Sequence, residues 1–93
     1  MDALALTGVV TKEDDESYAS LCLELDVASA GESLEEAKES LLEAVILYVE
    51  SAIESNLPLL RPVPLDEDPR RETPGTIISV FPFKVDMAIH AYA

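Results

Sequence analysis

The chain of 93 residues has no tryptophan, one cysteine, one histidine and three glycines. The single cysteine, Cys22, excludes an internal disulfide and any cysteine-based metal cluster within one chain, and it fits a reducing, cytoplasmic compartment. Gly8, Gly31 and Gly75 are too scattered to build a phosphate-cradling loop. His90 has no nearby Ser or Cys nucleophile with an orienting acid, so it supports no triad and is expected at the surface. No apolar run approaches the ~20 residues of a membrane span, and residues 1–10 lack the basic-then-apolar order of a secretory leader. The expectation is that the mature chain is the whole chain and that it does not enter a membrane. Basic residues are scarce too: six Lys and Arg stand against 19 Asp and Glu, a net charge of −13. That surplus repels nucleic acid and anionic lipid, keeps the free protein soluble and steers a basic protein partner toward it.

What the chain does contain is one strong helix, beginning at Ser33. Ser33 and Glu36 form a capping box, in which the hydroxyl takes the Glu36 amide and the carboxylate is expected to reach back to the amide of Ser33. Leu34, Ala37, Leu41, Ala44, Val45, Tyr48 and Ala52 recur at helical spacing, with Leu42, Ile46, Val49 and Ile53 widening the stripe. Glu35, Glu39, Glu43, Glu50 and Glu54 are left for solvent, with Leu47 among them as a stray exposed apolar residue. Asn56 and Pro58 mark the stop.

Before the helix, residues 3–10 alternate as a strand, with Leu4, Leu6 and Val10 on one face and a bulge expected at Gly8. A charged turn follows, and residues 18–25 alternate as the second arm of a hairpin. There Ala19, Leu21, Leu23 and Leu25 read as the core face, and Tyr18, Ser20, Cys22 and Glu24 as the other. Residues 26–30 can make a short third strand. Five of the six prolines fall within residues 57–75, an extended connector. Residues 76–85 read as a fourth strand in which Ile77, Phe81, Phe83 and Val85 share a face, and Pro82 argues for a sheet edge. Exposed aromatics on such an edge call for a cover, so Ile77, Phe81 and Phe83 are expected as an oligomer contact, in a dimer or tetramer. The expectation is one α+β domain over residues 1–93, a small antiparallel sheet packed on one long helix in the order β-β-β-α-β. Residues 1–56 form the β-β-β-α unit, 57–75 the connector, 76–85 the fourth strand and 86–93 a short tail.

The run from Tyr18 through Cys22-Leu23-Glu24-Leu25 to Gly31-Glu32-Ser33-Leu34-Glu35-Glu36-Ala37, continuing to Leu42, Ala44, Tyr48 and Glu50, resembles the HicB-like antitoxin family. The match covers roughly the first 55 residues. The resemblance implies a partial ribonuclease-H-like domain that binds and neutralises a small basic ribonuclease, a HicA-like toxin. Many members also repress their own operon through a C-terminal DNA-binding module, and nothing after Val85 is long or basic enough to be one.

A nuclease of the ribonuclease-H type needs carboxylates from separate elements gathered around two metal ions. Glu24 and Asp26 are the acids nearest such a place, but they read as solvated strand-end residues. The run Glu13-Asp14-Asp15-Glu16 lacks the spacing and glycine of a calcium loop and reads as a wet hairpin tip. Cys22, beside Glu24 in an apolar strand, reads as a packed thiol. No catalytic, cofactor or metal residue is therefore assigned. The expected partner-binding residues are Glu13, Asp14, Asp15, Glu16, Glu35, Glu39 and Glu43. The alternative expectation is a stand-alone oligomeric domain with a structural or small-ligand-binding role.

Overall fold

The computed structural model describes residues 3–86, and the backbone of residues 90–92. Strands β1 (Ala3–Asp14), β2 (Ser17–Cys22) and β3 (Val27–Gly31) lead into helix α1 (Leu34–Glu54). A connector holding the short helix α2 (Pro69–Glu72) then brings the chain to β4 (Ile77–Asp86) and β5 (His90–Tyr92). The strands form one antiparallel sheet in the order β3-β2-β1-β4-β5, with α1 across one face. This is the expected small sheet on one long helix. The additional strand β5 occupies part of the expected tail, Asp86 ends β4, and residues 87–89 and 93, with the His90 side chain, lie outside the described residues.

Helix α1 starts where its cap demands. Ser33 Oγ accepts from the Glu36 amide at 3.1 Å, and Glu36 Oε1 accepts in return from the amide of Glu32, one residue earlier than expected, at 3.2 Å. Ala37, Leu41, Val45, Val49 and Ala52 are buried. The first four pack on Leu6, Val10, Cys22, Leu25, Phe81, Phe83 and Val85, each large side chain contributing ~1.5–3 kcal/mol of apolar burial. The helix ends as Asn56 turns left-handed (φ 54°) and the Leu57 amide reaches the Ala52 carbonyl at 2.8 Å.

Four local expectations are corrected. First, β2 stops at Cys22, and its helix-facing side chains are Ser20 and Cys22, with Ala19 and Leu21 facing the other way. The chain then turns sharply: the Asp26 amide closes on the Cys22 carbonyl at 2.9 Å and Asp26 takes φ 53°. That turn breaks the alternation, which is how Leu25 reaches the same core as Cys22. Second, Gly8 is no bulge, since it pairs with Cys22 on one side and Phe81 on the other. It is glycine because the Phe81 ring lies over it, where a Cβ would stand 2.4 Å from Phe81 Cζ.

Third, Phe81 and Phe83 are only 7% and 2% exposed, and Ile77 is half-buried, so these residues present no aromatic patch at the surface. The two phenyl rings lie 5.6 Å apart, and the Lys38 ammonium sits 4.9 Å from the Phe81 centroid. The sheet face that carries them is the one α1 covers. Pro82 is tolerated within β4 because β5 pairs only with Lys84, Val85 and Asp86, leaving no described strand beside Pro82 on that side.

Fourth, the connector is not uniformly extended. Asp68 caps α2 by accepting from the Arg70 amide at 2.8 Å, and Pro69 occupies the first helical turn, where its missing N–H costs nothing. The connector is also fixed to the domain. Tyr48 donates to the Leu59 carbonyl at 3.3 Å, and the Arg61 and Val63 amides donate to the Glu24 and Leu23 carbonyls at 2.9 and 2.8 Å. It then passes over the sheet face opposite α1. Beneath it Val9 is 1% exposed, and a cavity of about 340 Å³ remains between Val9, Thr11, Ala19, Leu21 and Ala28 below and Glu67, Pro69, Thr73 and Thr76 above.

Candidate functional site

The acids singled out in the sequence belong to two surfaces at one end of the sheet. Asp14 pairs with Ser17 and Tyr18 with Gly31, so the β1–β2 turn and the start of α1 lie at the same end. Glu13, Asp14, Asp15 and Glu16 are all exposed at the hairpin tip. Two of them shape it: Asp14 Oδ1 accepts from the Glu16 amide at 2.9 Å, and Glu13 Oε1 accepts from the Thr11 hydroxyl at 3.2 Å. Between Lys12 and Asp14 the β1 register slips, leaving Glu13 without a cross-strand partner in β2.

Glu35, Glu39 and Glu43 are exposed along α1 at successive four-residue steps. Carboxylates at that spacing stand over one another and repel, at ~0.2–0.5 kcal/mol per pair. No Lys or Arg among the described residues lies within ion-pair distance of them. The one lysine of α1, Lys38, is turned to the Phe81 ring instead. The free chain thus carries a ladder of like charge on α1 without ion-pair partners among the described residues, and an acidic hairpin tip at the same end of the sheet.

The acids nearest a nuclease-like metal site have other duties. Glu24 Oε1 accepts from the Thr7 amide at 2.7 Å and Oε2 from the Thr7 hydroxyl at 2.9 Å. It thereby extends the β1–β2 pairing with a side chain where β2 has turned away. Asp26 is exposed at the left-handed turn position. Among the described residues no three His, Cys, Asp or Glu side chains converge as metal ligands, and no helix is long and apolar enough to cross a membrane.

Cys22 is fully buried, and burial, assisted by the Glu24 charge, pushes its thiol up to about 11. The S–H points to Glu24 Oε1 at 3.9 Å. This is a packed thiol with little thiolate character. Asp68 is 5% exposed and held by Arg70 through Nε and Nη2, at 3.2 to 3.3 Å and 2.9 Å. The hydrogen bonds from Arg70 hold its carboxyl below the usual carboxylate range, against a smaller opposing effect of burial. This pair fixes the first turn of α2 from within. Sequence reasoning missed Glu67, Asp68 and the cavity beneath them. The available signal was that β1 is apolar on both faces, so both faces need cover. No family model matches the chain, and no curated protein or solved structure matches it either.

Proposed function

We propose that this chain is a protein-binding module of the HicB-like antitoxin type, which holds a small basic protein against its carboxylate surface and, as in that family, neutralises a HicA-like ribonuclease toxin. The observation that carries the reading is the Glu35, Glu39 and Glu43 ladder, exposed and without an ion-pair partner among the described residues, at the same end of the sheet as the Glu13–Glu16 tip. A cationic surface laid on that ladder would relieve repulsion that the free helix must bear. The order of β1, β2, β3, α1 and a further strand β4 supports the reading, because it matches the element order that the resemblance implies. The role is that of a binder with no catalytic chemistry of its own, acting on a protein and not directly on nucleic acid, because a charge of −13 opposes a phosphate backbone.

The test is co-purification of the tagged chain with the product of the adjacent gene, followed by association kinetics at several salt concentrations. A basic partner should associate more slowly as salt rises, and Glu35→Lys with Glu39→Lys and Glu43→Lys should slow association by about tenfold or more. Absence of any basic partner, or association indifferent to both changes, removes the reading. A second reading is a self-associating domain without a toxin partner. It is favoured by the stretch of β4 before Lys84, which has no described strand on its outer side, and by Ile78 and Val80, 43% and 50% exposed. A monomer in sedimentation at micromolar concentration would exclude that second reading.

A further inference from the structure

The cavity between the sheet and the connector shares only Glu13 with the surface invoked above, and its floor and roof are used by neither reading. Its floor is aliphatic: Val9, Leu21 and Ala28 come from three neighbouring strands, and the small side chain of Ala28 leaves room that a larger residue would fill. Its roof is built rather than draped. Arg70 clamps Asp68 at the start of α2, and the Thr73 carbonyl accepts both the amide and the hydroxyl of Thr76, at 3.0 and 2.8 Å. A volume of about 340 Å³ is at the small end of the range for pre-formed ligand sites.

The charged side chains that line it are both carboxylates, Glu13 from the register slip of β1 and Glu67 from the turn before α2. Among the described residues no Lys, Arg or aromatic side chain lines it. An anion would meet only repulsion there, and a flat aromatic ligand would find no ring to stack on. An aliphatic chain that carries ammonium groups matches both the floor and the two acids. We infer that this cavity binds a small aliphatic diamine or polyamine, its methylene chain on Leu21 and Ala28 above the buried Val9 and its ammonium groups toward Glu13 and Glu67.

A strongly acidic protein gathers cations all over its surface, so the experiment must locate the binding. Methyl and amide NMR spectra of the full chain are titrated with 1,5-diaminopentane, and separately with magnesium ion and with 1-pentanol. The diamine should give saturable shifts at Val9, Leu21 and Ala28 that neither control reproduces. Replacing both acids, Glu13→Gln with Glu67→Gln, removes both ammonium–carboxylate pairs and should weaken binding about tenfold, a change of about 1.4 kcal/mol. Ala28→Leu, at an exposed position of β3, should abolish the localised shifts by filling the floor. Shifts spread equally over Glu35, Glu39 and Glu43 and matched by magnesium would overturn the inference. So would full affinity in the doubly substituted or the Ala28→Leu chain.

Discussion

Replacing Gly8 by alanine probes the packing on which the helix-covered face depends. The added Cβ would stand 2.4 Å from Phe81 Cζ and 2.5 Å from Cε1, where carbon atoms rest at about 3.5 to 4.0 Å. The ring must therefore retreat by about 1 Å or more. It has little room to do so, being 7% exposed, 5.6 Å from the Phe83 ring and roofed by Lys38. Overpacking of this kind costs ~1–3 kcal/mol, and the stiffer alanine backbone offsets ~0.5–1 of it. The net loss is about 1 to 2 kcal/mol, which for a chain of this size lowers a urea midpoint by about 1 to 2 M. The informative comparison is a double-mutant cycle. In a Phe81→Leu background the clash is gone, and Gly8→Ala should become neutral or stabilising by a few tenths of a kcal/mol. A raised midpoint for Gly8→Ala alone, or an equal cost in both backgrounds, would refute the reasoning.

Three further outcomes follow from single residues. The Ser20 hydroxyl is buried without a hydrogen-bond partner among the described residues, so Ser20→Ala should raise stability by about 1 kcal/mol, read from the urea midpoint. Cys22 titrates near 11 when folded, against an ordinary thiol value of 9.0. The folded chain keeps the proton longer than the unfolded one, so stability should fall by about 2 to 3 kcal/mol as pH rises between those values, and Cys22→Ala should remove that slope. Asp68 is held below its ordinary value of 3.8 by Arg70, so its contribution is present above that value and fades as pH falls through the lowered one. Asp68→Ala should cost about 1 to 2 kcal/mol at neutral pH and flatten the acid limb of a stability–pH curve.

Some of this architecture was legible residue by residue. Ser33, Glu36 and the four-residue recurrence of Ala37, Leu41, Val45 and Val49 specify where α1 starts and which way it faces, because a helix is a local structure whose caps and stripe lie within a few residues. Leu4, Leu6 and Val10 marked β1, and Pro82, which pairs with Thr7 of β1, marked a place on β4 with no described strand on its other side. The exposed acids were legible too, since no domain this small can bury 19 carboxyl groups.

Alternation in β2 and β4 established that these segments are strands, but not which layer covers each face. When both faces of a strand are apolar, its period is the same whichever face meets the helix. The side chains beneath α1 therefore proved to be Ser20 and Cys22, with Leu21 turned to the cavity, and Phe81 proved to be a core residue lying across Gly8. The connector's hold on the turn at Leu23 and Glu24, and the cavity it roofs, join residues far apart along the chain. Composition and charge came from the chain alone; which faces meet, what lies over Gly8 and that Glu13 and Glu67 line one cavity were decided by tertiary packing, because contacts of long sequence separation leave no local period to read.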